Sequence, residues 1–388
     1  MTAGPDRDDD PEIDIDDLDI AIAHWHVNAW GGAEYLATKL AEALNVGSVY
    51  TLGSPSPSNP NPYGDVAFED VTPVLDNPRL RRIQRRAGRV FEYAQWEDVD
   101  WRELGDPDVL VTSGSTTRAV ITPADTVHVN YCHSPPRWFY DLYHDRKHSL
   151  AGVLARPLIR YLRTVDMTID PRVDSYLANS PIIERRLWKY YKRDSEVLYP
   201  PVDLEKYQNE GDDGFFLHLG RLDEEKGVPA VVEAFEGLND RLVMAGGAGD
   251  VDDSVRVQID HADNIEWRGF VDETTKLDLL ARCTAVVFNG RNEDFGIVPI
   301  EANASGKPVL ARNEGFPSVF VENGENGFLH DGSITGIRQS VDSMRTSELD
   351  TVSTRYTTQF SFNSFRDDLR MFLTTAHKDV RRVSVNNK

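Results

Sequence analysis

The feature that most constrains this chain is an order that occurs twice: an apolar strand pattern, a small-residue turn, then a helical repeat. In the first half "LDIAIAHWHV" alternates as a strand and runs into Gly31-Gly32. "AEYLATKLAEALN" follows, with Leu36, Leu40, Ala43 and Leu44 on a helical period. "VGSVYTL", "DVLVTSG" and "TVHVNYCH" read as further short strands ending in small or polar residues. Parallel strands need long crossovers, and strand, glycine turn, helix, strand is the pattern of a doubly wound parallel sheet. A helical region is expected from about Leu150 to Tyr191, broken near Pro171 and Pro181, before Pro200-Pro201 stiffens the middle of the chain. The alternation then restarts with "GFFLHLGR", "VPAVVEAFEGL", "DRLVMAGG", "NIEWRGF", "TKLDLLARC", "TAVVFNG", "FGIVPIEANASG" and "PVLARNEG". The expected organisation is an acidic, unstructured lead over 1–17 and one Rossmann-like domain over 18–200. A second follows over 201–360, with a closing helix over 361–388 that returns to the first domain. Two such open sheets facing a cleft would hold ligands outside the carboxyl ends of their strands.

Composition narrows the function. The 388 residues carry 64 acidic against 42 basic side chains, a net charge of −22. Such a surface repels phosphate backbones, which argues against nucleic acid as a partner, and it suits solubility at high salt. Cys132 and Cys283 are the only cysteines, too few for a disulfide framework or a cysteine-rich metal site. The acidic start is unlike a secretory signal, and no apolar run is long enough to span a bilayer. A cytoplasmic setting is expected.

Four loops after strands carry candidate chemistry. In "HLGRLDEEKGVPAVVEAF", Arg221 and Lys226 flank the start of a helix whose first turn accommodates Pro229, a suitable site for a diphosphate. Gly31 and Gly32 allow close approach of backbone N–H groups to an anion, although the pattern is not that of a dinucleotide-binding turn. His133, in "YCHSPPRWFYDLY", stands just past a strand and before a rigid Pro135-Pro136 turn. In "RNEDFGIVPIEA" the helix is expected to begin near Ile297, with Glu293 ahead of it and Glu301 one turn in. Two carboxylates flanking a helix start suit hydroxyls on either side of a phosphate linkage. Each loop also has a plain structural reading: a surface ion pair, a tight turn, a satisfied histidine, a helix with polar ends. "DVDD" at 250–253 is the one tempting metal motif, and it reads as surface charge, so no metal is expected.

Together these segments resemble a retaining GT-B glycosyltransferase of family 4, the glycosyl transferases group 1 type. The motifs run in order from "GGAE" and "YCHSPPRWFYDLY" through "LANSPIIERRLWKYY" and "LYPPVDLEKY" to "LGRLDEEKG", "EDFGIVPIEA" and "GFPSVFVENGENGFL". The "HSPPRWFYDLY" and "YPPVD" variants look most like mannosyltransferase-type members. The resemblance implies that Arg221 and Lys226 hold the donor diphosphate and that Glu293 binds sugar hydroxyls. Backbone near Phe295, Gly296 and Ile297 would line the phosphate, and Glu301 would meet the ribose. His133 would sit near the reacting carbon, Gly31 and Gly32 at acceptor and donor phosphates, and Phe270 and Val271 at the base. Arg221, Lys226, Glu293 and His133 form the implied catalytic set. Acidic "DEE" between Arg221 and Lys226, and "NGRNEDFG" before the glutamate, depart from the family's commoner pattern and weaken any inference about the sugar.

The implied activity is transfer of a hexose from a nucleotide diphosphate sugar, of GDP-mannose or UDP-glucose type, to a lipid-linked saccharide or other glycan, with no cofactor. Another GT-B chemistry (phosphorylase, nucleotide-sugar hydrolase or epimerase) and a non-catalytic sugar-nucleotide-binding subunit are the alternatives. A two-carboxylate hydrolase using Glu293 and Glu301 fits poorly with their placement around one helix start. Arg79, Arg81, Arg82, Arg85, Arg86 and Arg89 run against the acidic background and point to anionic lipid head groups or a lipid-phosphate acceptor. A salt-bridged face is the plainer reading.

Overall fold

Short runs of β-branched and aromatic residues, capped by glycine, build two separate sheets. The computed structural model describes residues 14–27, 29–53, 55, 60–73, 91–146 and 150–386. The arginine segment with Arg79, Arg81, Arg82, Arg85, Arg86 and Arg89 lies outside the described residues. The chain divides into two units. The first holds the residues up to Asn179, Ile183–Leu198 and Phe365–Lys388; the second holds Ser180–Ile182 and Tyr199–Ser364.

The first unit contains β1 (Ile20–His24), β2 (Ser48–Thr51), β3 (Ala67–Asp70), β4 (Val109–Ser113), β5 (Val127–Cys132), β6 (Ser175–Ala178) and β7 (Glu196–Val197). Their order in the sheet is β3-β2-β1-β4-β5-β6-β7, with parallel pairing throughout the described residues. The chain leaves β1 in one direction across the sheet and β4 in the other. The switch point therefore lies between them, where His24 pairs in register with Ser113.

The second unit contains β8 (Phe215–Leu219), β9 (Arg241–Ala245), β10 (Ile265–Trp267), β11 (Ala285–Phe288), β12 (Val309–Arg312) and β13 (Gly327–His330), in the order β10-β9-β8-β11-β12-β13. Its switch point is between β8 and β11. Alternation along these strands divides the core in two. Leu217, Val243, Val286, Phe288 and Val309 pack on one face with Ile300, Phe295 and Phe316. Phe216, Leu242, Met244, Val287 and Leu310 pack on the other with Val231, Phe235 and Ile337. Both faces are covered, which is why these strands read as continuous apolar runs.

Two expectations are corrected. The stretch from Leu150 to Tyr191 is not helical throughout. A helix at Leu150–Ile169 gives way to β6 before a second helix at Pro181–Tyr191. "SYLA" is too short and too buried to show the alternation that marks a strand. The acidic lead is ordered earlier than residue 18: Ile15–Asp17 form a turn of 3-10 helix with Ile15 buried, and Asp16 pairs with Arg370 at 2.6 Å. "DVDD" is in part helical, since Asp252 caps and Asp253 opens a helix to His261, where negative charge favours the positive end of the helix dipole.

The Phe362–Asn386 helix buries Phe365, Leu369, Leu373 and Ala376, and its Arg381 reaches Asp108 at 3.0 Å within the first unit. Among the described residues no helix is long and apolar enough to cross a membrane.

Candidate functional site

In the second unit the site starts from glycines that let two loops touch. Gly227 caps the Val228–Glu236 helix with φ 66°, and a Cβ there would meet Asn289 Nδ2 and the Asn289 carbonyl at 2.5 Å. Asn289 is buried and its Nδ2 donates to the Gly227 carbonyl at 3.1 Å, tying the loop after β8 to the loop after β11. Across this tie Lys226 Nζ and Glu293 Oε1 form an ion pair and hydrogen bond. The Lys226 backbone N–H donates to Asp223 Oδ1 at 2.8 Å. Arg221, with its side chain 68% exposed, reaches the other Asp223 oxygen at 3.2 Å. Asp223 is thus the buried anchor from which one cation is folded inward while the other stays in water.

Gly296 takes φ 68° and caps the Ile297–Ala304 helix without a side-chain cap, so no side chain at the N-cap occupies the first-turn N–H groups. Such a helix start favours an anion. The Phe295 ring itself faces the core, 5.0 Å from Phe316 and 6.2 Å from Tyr199 between ring centroids, so only its backbone is available to a ligand. Glu301 is 5% exposed and accepts from Tyr207 Oη at 2.8 Å and Lys276 Nζ at 3.0 Å. Burial lowers the Lys276 pKa, but the Glu301 and Glu273 carboxylates outweigh it and hold the amine above its ordinary value. Phe270 is largely exposed, while Val271 packs partly against the core.

In the first unit the switch point gathers a polar chain. Glu34 belongs to the first turn of the Gly32–Ala43 helix, and its Oε2 accepts the Gly31 N–H at 3.0 Å. That fold-back is one half of a capping box, since glycine has no side chain to complete it, and it means the Gly31 N–H is already engaged. Glu34 Oε1 faces His24 Nε2 at 3.6 Å. His24 Nδ1 lies 3.1 Å from Ser113 Oγ, and Ser113 Oγ lies 2.8 Å from His133 Nε2. Trp25 stacks on His133 with centroids 5.8 Å apart. Burial, reinforced by His24, pushes His133 down to about 3, and burial also depresses His24. Both rings are neutral at pH 7. Burial pushes the Glu34 carboxyl up, but His24 and the Gly31 N–H overcome this and hold it below its ordinary value.

Beside this chain is a cavity of about 490 Å³ walled by Trp25, Tyr93, Trp138, Phe139, Leu158 and Leu162, with Glu34, His26 and Glu92 at its polar side. His26 Nδ1 is 3.2 Å from Glu92 Oε1.

Residues 201–351 match the glycosyl transferases group 1 family. The matched stretch lies within the second unit, Tyr199–Ser364. The chain is 29% identical over 193 residues to the alpha-1,3/1,6-mannosyltransferase alg-2 of Neurospora crassa, covering 37% of the chain and 41% of the relative. With human alpha-1,3/1,6-mannosyltransferase ALG2 it is 26% identical over 238 residues, 51% and 54% of the two chains. It therefore spans about half the length of these curated relatives. In fold it resembles the Anabaena HepE structure in complex with UDP. The TM-score is 0.70 and the identity 16%, with 92% of this chain and all of that one covered. Its fold is GT-B.

Lys226, Glu293, Arg221, Gly296 and Ile297 gather at the switch point of the second sheet, with Glu301 on the same helix as Ile297. Gly31 and His133 belong to the other switch point, and Gly32 opens its helix. Sequence reasoning passed over Ser113, His24, Lys276, Tyr207 and Asn289. The "HWH" at the end of β1 was the one available signal for His24. Nothing in the sequence joins Ser113 to it, because that link is made by strand pairing across 89 positions.

Proposed function

We propose that this protein is a retaining glycosyltransferase. It would move a hexose of mannose or glucose type from a nucleotide diphosphate sugar to a lipid-linked saccharide or other glycan, without a metal. The observation that carries this reading is the Lys226–Glu293 pair beside two glycine-capped helix starts. As the bond from sugar to diphosphate breaks, negative charge grows on the leaving group. A lysine held in place by a carboxylate, with two helix starts and Arg221 beside it, meets that charge without rearranging. Glu293 then serves twice, fixing Lys226 and offering its carboxylate to sugar hydroxyls. Glu301 is assigned to the ribose, with Lys276 and Tyr207 setting its position. His133 is assigned to the donor sugar, and Gly31 and Gly32 to the approach of acceptor and phosphate.

The mannosyltransferase relatives support mannose as the sugar, and a GDP-mannose-type donor and a lipid-linked acceptor at a membrane face are part of the same proposal. The cavity walled by Trp138, Leu158 and Leu162 supplies apolar surface for such an acceptor. The acidic composition supports a high-salt setting.

The test is a thermal-shift comparison of GDP-mannose, UDP-glucose and related donors, followed by transfer from the best binder to lipid-linked saccharides. A donor at one hundred times its Kd stabilises the native state by about 2.7 kcal/mol. Failure of every nucleotide sugar to shift the melting temperature would overturn the donor assignment. Release of free sugar with no transfer would favour a hydrolase.

A further inference from the structure

Ser113 Oγ is within hydrogen-bond distance of two histidines, yet it has one proton to give. Whichever ring nitrogen receives that proton must be unprotonated, and the other must donate to the same oxygen. The direction of the chain is decided at its far end. Glu34 is held by the Gly31 N–H on Oε2, which leaves Oε1 turned to His24 Nε2 at 3.6 Å. A carboxylate facing a ring nitrogen favours N–H there over a lone pair. His24 is buried and neutral, so a proton on Nε2 leaves Nδ1 bare. Ser113 then donates to His24 Nδ1, and its oxygen accepts from His133 Nε2–H.

We infer that Glu34, acting through His24 and Ser113, sets the tautomer of His133, so that His133 carries its proton on Nε2 and keeps Nδ1 as a hydrogen-bond acceptor. Glu34, His24 and Ser113 are then positioning residues. On the reading that His133 meets the donor sugar, they make it an acceptor of a sugar hydroxyl rather than a donor to the ring. His133 Nδ1 makes no hydrogen bond among the described residues. The stacking of Trp25 on the ring fixes its plane, and the Asn179 side chain holds the His133 carbonyl at 3.0 Å.

Glu34→Gln offers a sharp reversal. The Gly31 N–H requires an acceptor, so the glutamine carbonyl takes the Oε2 position and the NH₂ faces His24. His24 Nε2 must then accept, its Nδ1–H donates to Ser113, and Ser113 donates to His133 Nε2. The proton on His133 moves to Nδ1.

The experiment is long-range ¹H–¹⁵N correlation on full-length, ¹⁵N-histidine-labelled protein at pH 7, with His133→Gln identifying the His133 signals. The expected result is an Nε2-protonated His133 in the native protein and an Nδ1-protonated one in Glu34→Gln. Ser113→Ala, which only cuts the chain, should give a mixture of both forms. A native His133 protonated on Nδ1, or a tautomer unchanged by both substitutions, would overturn the inference. No substrate enters this measurement. Loss of the glycosyltransferase reading would show instead as absent donor binding with the expected tautomer intact.

Discussion

Lys226 and Glu293, 67 positions apart, form one ion pair at the switch point of the second sheet. The contact depends on Gly227 and Asn289 bringing the two loops together, and it turns a cation and an anion of separate loops into one unit. With side chains 30% and 18% exposed, the pair is wet enough for a charged ligand to compete for Lys226. That competition is what a site for a diphosphate requires.

Lys226→Ala should lower turnover far more than stability. Exposed pairs of this kind contribute roughly 0–1 kcal/mol to folding. Removing a fixed charge from a developing anion costs about 100-fold or more in kcat. Steady-state kinetics alongside thermal melts separates the two. Full turnover in both Lys226→Ala and Arg221→Ala would end the diphosphate assignment. Because Lys226 and Glu293 touch, their effects should fall short of additive in a double-mutant cycle.

Glu301→Gln should act mainly on donor affinity. Glutamine keeps an acceptor for Tyr207 Oη but takes one of two carboxylate partners from Lys276, leaving it with Glu273 at 3.0 Å. We expect a loss of roughly 1–3 kcal/mol in stability and a Kd for the donor weakened by about tenfold, ~1.4 kcal/mol. The kcat at saturating donor should be little changed. A collapse of kcat with Kd intact would instead place Glu301 in the chemical step.

What the sequence shows plainly is what local physics controls. β8 and β11 are apolar runs closed by glycine, and the Ile297–Ala304 helix starts where Gly296 and Pro299 indicate. β6 was hidden because four residues between prolines, three of them buried, carry no period. The polar chain through Ser113 was hidden for another reason. It is assembled by parallel pairing of β1, β4 and β5, and no spacing in the sequence announces that register. For Glu301 the carboxylate was legible but its partner Lys276 was not, since 25 positions and a strand separate them.

Acid should destabilise the protein through buried neutral histidines. Burial pushes His128 and His218 down to about 4, against 6.5 for the free side chain. The unfolded chain therefore binds more protons than the folded one between these values. Stability is fully present above pH 6.5 and falls as pH drops toward 4. At pH 5.5 each group costs about 1.4 kcal/mol. Denaturant titrations should be flat from pH 7 to 8 and decline below 6.5. His128→Gln should be less stable at neutral pH yet show a shallower acid limb. An unchanged limb in that variant would remove His128 from the account.

Two glycines around Glu293 should separate its chemistry from its scaffold. A Cβ at Gly290 would meet Glu293 Oε1 at 2.5 Å, the far end of a flexible side chain that can swing away. Gly290→Ala should therefore displace the carboxylate from Lys226 and reduce turnover by about tenfold, ~1.4 kcal/mol. Its melting temperature should barely move. A Cβ at Gly315 would meet the Glu293 carbonyl oxygen at 2.4 Å, and Gly315 has φ 62°, so both space and conformation oppose a side chain. The Glu293 carbonyl also accepts the Phe316 N–H at 2.9 Å, fixing the loop from behind. Gly315→Ala should cost on the order of 1–3 kcal/mol in stability, with activity falling alongside folded protein. If Gly290→Ala kept full activity while Gly315→Ala lost stability as expected, the Glu293 backbone would still matter. Its carboxylate would then have no part in turnover.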